Sequence, residues 1–447
     1  MKNSLEKRIL LPEDLQPINF LSEYKARGGL KGLERARSLS SDEIIAEVKK
    51  AGLRGRGGAG FPAAIKWTTV REDPCEIKYV VCNGSEGEPG TYKDRYVLQR
   101  NPYQLIEGLL IAAQAIGARK IIIGLKAKFT REMARLEGAI EEYAKEGLVD
   151  ASYIEIVPGP DEYLFGEEKA LLEVIDGRPA MPRHMPPFMQ GARYTPNENC
   201  PTVVNNVETM CHVSHIMAKG ADWFRQTGSD DTPGTMVFTL CGDVKRPGMY
   251  ELPLGTTLRQ LIYECGEGPA GEYPIQAVFS GVANPVMTDE IFDTPMGFGT
   301  LRQAGGGLGS AGFIVYDQSM SMVKVAYMFS KFLAEESCGQ CFPCKGGCGT
   351  ITRYLQKIVE GEGTVEDIDT ILFESIKITN QTRCFLPTEE QILIPSIIRK
   401  FREEFEQYIR EPDLHGREPK LPLINYFAED SRVFTYAPPK TGMFIAG

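Results

Sequence analysis

Histidine is scarce in this chain, with four residues among 447, and none lies near the cysteine-rich stretch at 338–348. Zinc sites built with His are therefore disfavoured there. A long apolar run is missing too. The longest, Leu109-Leu-Ile-Ala-Ala113, is broken by Gln114 and is far too short to span a bilayer. The N-terminus, Met1-Lys-Asn-Ser-Leu-Glu-Lys-Arg8, mixes acids and bases and lacks the apolar core of a signal peptide. Positive charge is in deficit: 50 Lys and Arg face 60 Asp and Glu, a net charge of −10. That argues against nucleic acid and against direct binding to an anionic membrane face.

What is present is thiol. Glu336-Ser-Cys-Gly-Gln-Cys-Phe-Pro-Cys344 places Cys338, Cys341 and Cys344 on two consecutive Cys-x-x-Cys steps. Three thiolates on one tight turn suit three corners of a cubane iron–sulfur cluster, whose irons take four cysteines. Two candidates exist for the fourth ligand, Cys348 and Cys384. Cys338 to Cys348 has the C-x2-C-x2-C-x3-C spacing of a ferredoxin run. Gly349 follows it where Pro is usual, however, and no second run exists to complete another cluster. Cys384, in Gln381-Thr-Arg-Cys-Phe-Leu386, is the better candidate. Zinc usually takes two separated pairs or His, so iron–sulfur is preferred. Oxygen-sensitive thiolates without an export signal give the expectation of a cytoplasmic protein.

A chain of 447 residues predicts about three domains. In the first, Tyr79–Cys82, Lys120–Gly124 and Tyr153–Val157 read as strands, separated by helices over 102–117 and 130–147. That alternation predicts an α/β fold with a doubly wound parallel sheet, which binds ligands beyond its strand ends. A polar, Gly-containing stretch at 227–234 marks a boundary. A hairpin (235–240 and 249–252), a helix (257–264) and strands at 276–279 and 313–316 then describe a β-grasp-like module. From Ser319 the pattern is helical around the cysteine run. The expected division is 1–230, 231–318, 319–419 and a tail, 420–447, that could lie on a partner as an arm.

Gly55-Arg-Gly-Gly-Ala-Gly60 formally fits G-x-G-x-x-G, but it follows a helix rather than a strand; Gly307–Gly312 fits too, and precedes a strand. Both are weak matches to a dinucleotide fingerprint. Gly55–Gly60 can still bring backbone N–H groups close to an anion, with Arg54, Arg56 and Lys66 nearby. Glu86, Glu88, Glu162, Glu167 and Glu168 could bind ribose hydroxyls or be solvated surface acids. Asn205 and Asn206 could face a flavin or cap a helix.

Taken together, Gly52-Leu-Arg-Gly-Arg-Gly-Gly-Ala-Gly-Phe-Pro62, Asn83-x-x-Glu-x-Glu-Pro-Gly90, Gly166-Glu-Glu168, Pro201-Thr-Val-Val-Asn-Asn-Val-Glu-Thr209 and the cysteine run resemble one family. It is the 51 kDa-type flavoprotein subunit of NADH:quinone oxidoreductase, with its relatives in NAD-linked hydrogenases, formate dehydrogenases and bifurcating complexes. The resemblance implies FMN in a Rossmann-like domain, a β-grasp (ubiquitin-like, SLBB-like) domain and a helical bundle with one [4Fe–4S] cluster. By position it implies FMN contacts at Gly55, Arg56, Gly57, Lys66, Asn83, Ser85, Gly166, Asn205 and Asn206. It implies an NAD(H) site at Phe61, Glu86, Glu88, Tyr163, Glu167, Glu168 and Phe188, and cluster ligands at Cys338, Cys341, Cys344 and Cys384. Three departures stand out: Ser85 replaces an Asp, Thr69 an aromatic residue and Met185 a Lys.

The implied function is a two-to-one electron converter: hydride from NADH to FMN, then single electrons to the cluster, with no side chain acting as catalyst. The implied partners are a thioredoxin-like [2Fe–2S] subunit and further iron–sulfur subunits. Through these the chain could sit peripherally on the inner face of the cell membrane. The alternatives are an NAD+-reducing or electron-bifurcating diaphorase, and a non-catalytic electron-transfer subunit.

Overall fold

The computed structural model describes residues 4–411 and 416–438. Four parallel strands, β1 (Tyr79–Gly84), β2 (Lys120–Lys126), β3 (Ile154–Gly159) and β4 (Thr202–Asn206), form a sheet in the order β3-β2-β1-β4. Val80, Val81, Ile121, Ile122 and Ile123 are buried, and so read as continuous apolar runs. A parallel sheet covered on both faces requires this pattern. The helix Pro102–Ile116, with Pro at its first position and Gly117 in the left-handed region at its end, covers one face.

The fourth strand is one that the sequence pattern does not announce. Thr202-Val-Val204 is too short an apolar run to stand out, yet it pairs with β1 so that Asn83 and Asn206 are direct neighbours. Asn206 also ends the strand by capping the helix Val207–Lys219, accepting from Glu208 N.

A second sheet is built from β5 (Thr235–Gly242), β6 (Gly248–Pro253), β7 (Ile275–Ser280) and β8 (Gly312–Asp317), ordered β6-β5-β8-β7. β5 and β6 form the expected hairpin, and β5 runs parallel to β8. The helices Met322–Glu336, Phe342–Val359, Val365–Ser375, Leu386–Lys400 and Arg402–Arg410 make the third region.

Beyond it, β9 (Ile424–Ala428) and β10 (Val433–Tyr436) form a hairpin. It lies on its own chain: Arg95 donates to Ile424 O at 2.8 Å, and Arg432 donates to the Tyr250 hydroxyl at 2.7 Å. Residues 439–447 of the expected arm lie outside the described residues. Among the described residues no helix is long and apolar enough to cross a membrane.

Candidate functional site

Asn83 lies at the end of β1 and Ser85 directly after it, and Asn205 and Asn206 end β4, so the carboxyl edge of the sheet is a row of amides and hydroxyls. Each is held. Trp67 Nε1 donates to Asn205 Oδ1 at 2.9 Å, and Asn83 Nδ2 donates to Gly166 O at 2.8 Å. Ser85 Oγ lies 2.9 Å from Phe165 O and 2.6 Å from Asn83 Oδ1. The glycine loop crosses this edge, close enough that a Cβ on Gly57 would meet Asn206 Cβ at 3.2 Å. Gly58 and Gly60 take positive φ, which favours glycine there. The two formal glycine motifs face each other, since a Cβ on Gly58 would lie 3.9 Å from Gly309 and Ser310.

Not every expected flavin contact offers its side chain. Arg56 is fully buried and turned away, donating to Arg54 O and, at 2.6 Å, to Pro233 O, while its N–H binds Thr209 Oγ1. It staples the loop to the segment leading into β5, and burial lowers its pKa to about 10. Lys66, on the helix following the loop, ion-pairs with Glu168 at 2.6 Å, which links the loop to the helix Glu168–Ile175.

The residues expected at the dinucleotide fall into two groups. Phe61 and Phe188 are exposed large apolar side chains, as are Ile65, Met181, Met185 and Met189 on the same two segments. Thr69 is exposed and returns its hydroxyl to Ile65 O. The others are engaged within the chain. Glu86 accepts from Arg95 Nε and Asp94 N, and Glu88 accepts from the Tyr163 hydroxyl and from Val282 N, both at 2.7 Å. Glu167 caps the helix Glu168–Ile175, and burial pushes its carboxyl up to about 7.

Cys338, Cys341, Cys344 and Cys384 line one cavity, with Leu164 and Pro182 contributed by the segments that follow β3. Cys341 stands at the N-terminal boundary of the helix Phe342–Val359, with no side-chain hydrogen bond to it, and Cys344 lies in its first turn. Cys348, one turn further on the same face, is buried and is not among the cavity's lining residues. A hydrogen bond with Cys348, then one with Ser337, lowers the Cys344 thiol to about 7, while burial raises Cys384 to about 12. Among the described residues no three His, Cys, Asp or Glu side chains converge to hold a single metal ion. Four thiols around a cavity are the donor set of an iron–sulfur cluster. Lys169 donates to Arg383 O, which ties the Glu167–Glu168 segment to the Cys384 loop.

Sequence spacing gives no sign of Lys93, Asp94 and Glu208, a buried ionic group directly behind Asn206. Their burial is set by tertiary packing, although the run Tyr92-Lys-Asp-Arg95 next to Glu86 and Glu88 is dense in charge.

Three families match the chain: the Nuo51 FMN-binding domain over residues 48–215, the SLBB domain over 237–274 and the NADH-ubiquinone oxidoreductase-F iron-sulfur binding region over 324–408. An F-type NADH-quinone oxidoreductase subunit of Rhizobium meliloti is 39% identical over 416 residues, covering 91% of this chain and 98% of the relative. The corresponding subunit of Aquifex aeolicus is 37% identical, covering 91% and 94%. A crystal structure of an NAD+-reducing [NiFe]-hydrogenase superposes with a TM-score of 0.78 at 33% identity, over 88% of this chain and 67% of that one.

Proposed function

The chain belongs to the family of F-type NADH-quinone oxidoreductase subunits, and from that premise we propose that it oxidises NADH through FMN and passes single electrons to a [4Fe–4S] cluster and on to partner subunits. One observation carries this reading. The short helix Tyr163–Gly166 gives the carbonyls of Phe165 and Gly166 to Ser85 and Asn83, and gives Leu164 to the wall of the cysteine cavity. The sheet edge and the four thiols are thus joined by one four-residue segment.

FMN, when bound, supplies hydride acceptance and one-electron release. The protein supplies the rest. The Gly55–Gly60 backbone would face the ligand, and Asn83, Asn205 and Asn206 would be its fixed polar partners. Lys66 and Glu168 stand at the site as an ion pair that a bound dinucleotide or flavin would divide between them. Phe61 and Phe188 offer exposed rings for stacking. Cys338, Cys341, Cys344 and Cys384 would hold the cluster.

Its partners are a thioredoxin-like [2Fe–2S] subunit and further iron–sulfur subunits, in keeping with relatives that are oxidoreductase and hydrogenase components. Through them the chain would lie peripherally on the inner, cytoplasmic face of the membrane. A second reading, NAD+ reduction by electrons arriving at the cluster, is favoured by the likeness to an NAD+-reducing hydrogenase.

Anaerobic titration of FMN-loaded, cluster-reconstituted protein with NADH and, separately, NADPH tests the proposal by visible absorbance. Bleaching by NADH is expected. A flavin reduced by dithionite but by neither nucleotide would overturn it.

A further inference from the structure

Lys93 opens the helix Lys93–Arg100 and is buried to 1% exposure behind the sheet edge. Its Nζ lies 2.7 Å from Asp94 Oδ1, 3.0 Å from Glu208 Oε2 and 3.1 Å from Asn206 Oδ1. Asn206 Oδ1 also accepts from Glu208 N at 3.0 Å, and Asn206 Nδ2 donates to Asp94 Oδ2 at 2.6 Å.

This arrangement removes the usual ambiguity in placing an amide. An ammonium can only donate and an ionised carboxylate can only accept, so oxygen must face Lys93 and nitrogen must face Asp94. One Asn206 N–H remains uncommitted. Asn206 is also the residue against which Gly57 of the glycine loop rests. The group is closed on its other sides: Glu208 takes Val237 N, Glu86 takes Asp94 N and Arg95, and the Arg56 guanidinium lies within electrostatic reach of Glu208.

Burial opposes the charge on Lys93, but Asp94 and Glu208 more than offset it and hold the ammonium protonated. Burial pushes the Asp94 carboxyl up to about 6, against the pull of Lys93. Lys93 is therefore a buried cation held between the side chains of Asp94 and Glu208, an expensive arrangement for a scaffold that needed only packing.

We propose that Lys93 is a positioning residue of the flavin site, fixing the face that Asn206 presents and holding a positive charge that raises the flavin's reduction potential. Asp94 acts in the opposite electrostatic sense. This inference rests on the reading of the sheet edge as the FMN cradle. It implies that the two neighbours, both buried in one network, change the flavin's potential in opposite directions.

The test uses the full chain at pH 7.5, where Asp94 is ionised. FMN affinity is read by quenching of free-flavin fluorescence, and the flavin midpoint potential by spectrophotometric redox titration. Lys93→Met is expected to weaken FMN binding at least tenfold and to lower the potential. Asp94→Asn is expected to keep FMN and raise the potential. A purely structural role would weaken binding in both without opposed shifts, so unchanged or like-signed shifts overturn the proposal. If Lys93→Met does not fold, Asp94→Asn decides alone: a higher potential supports it, and an equal or lower one overturns it. Wild-type protein that binds no FMN would overturn the cradle reading itself, and the proposal with it.

Discussion

Glu88 and Glu389 meet on a single hydroxyl. Tyr163 Oη lies 2.7 Å from Glu88 Oε2 and 3.0 Å from Glu389 Oε1. One phenol carries one proton, so two ionised carboxylates cannot both be served by it. Glu88 receives Val282 N as well, whereas the second Glu389 oxygen is buried without a hydrogen-bond partner. Burial, then the Glu88 charge, raise Glu389 well above the usual carboxylate range. Glu389 is thus the neutral acid of the pair, and three regions of the chain are tied at one point. Glu389→Gln, which keeps a neutral donor, should cost less than about 1 kcal/mol, while Tyr163→Phe should cost about 1–3 kcal/mol. Urea denaturation measures both. An infrared difference spectrum at pH 7 should show one protonated carboxyl fewer in Glu389→Gln, and an unchanged spectrum would move the proton elsewhere.

Glu390, next on the same helix, should make stability depend on pH. Its carboxyl accepts from Ser330 Oγ at 2.6 Å, its other oxygen is unpartnered, and burial pushes it up to about 8. A carboxyl raised on folding stabilises fully below its unfolded value, near 4.5. That contribution is lost as pH rises toward 8, because the folded state is then the one holding the extra proton. Glu390→Gln removes the dependence. Its stability relative to wild type should rise from pH 5 to pH 8, with a limiting slope of about 1.4 kcal/mol per pH unit. Melting curves across that range measure it, and a constant difference would mean that Glu390 is already ionised.

Much of the fold was legible because parallel strands buried on both faces leave dense apolar runs, as at Tyr79–Cys82 and Ile121–Ile123. The hairpin around Lys245–Gly248 was legible from its turn chemistry. β4 was not, because a threonine and two valines followed by two asparagines look like a loop and a cap; they are a strand and a cap at once. Cys338, Cys341 and Cys344 were legible because their spacing is local, whereas Cys384 reaches the same cavity from a distant loop. The engagement of Arg56 and Glu86 inside the chain was not, because their partners Pro233 and Arg95 are set by tertiary contact rather than by spacing. The same holds for Lys93, whose burial depends on Glu208, 115 positions away along the chain.

Ser85 bears on the flavin's potential. Its hydroxyl sits 2.9 Å from Phe165 O and 2.6 Å from Asn83 Oδ1, in a pocket that exposes 1% of the residue. A carboxylate there would add negative charge and would face two oxygens with no proton to offer. Ser85→Asp should therefore make the flavin harder to reduce. A tenfold change in the oxidised-to-reduced ratio corresponds to about 30 mV for a two-electron couple. The expected shift is downward by at least that amount, measured by redox titration of the FMN-loaded protein. An unchanged or higher potential would show that charge at position 85 is screened from the flavin.

Cys384 and Cys348 separate on a direct comparison. Both are cysteines near Cys344, but Cys384 lines the cavity with Cys338 and Cys341, whereas Cys348 is sequestered in the bundle core against Cys344. Cys348→Ala deletes one small buried sulfur and should cost about 1 kcal/mol of stability, with the four-iron cluster retained. Cys384→Ala removes a thiolate that nothing else lining the cavity can replace, since Thr382 and Arg383 on the same loop are poor iron ligands. The reconstituted Cys384 variant should lose the four-iron signal in electron paramagnetic resonance, and its iron content per chain should fall. The opposite pattern, with the cluster surviving in Cys384→Ala and lost in Cys348→Ala, would require the helix Phe342–Val359 to unwind at its second turn. Hydrogen exchange along that helix would then show the unwinding in wild-type holoprotein as well.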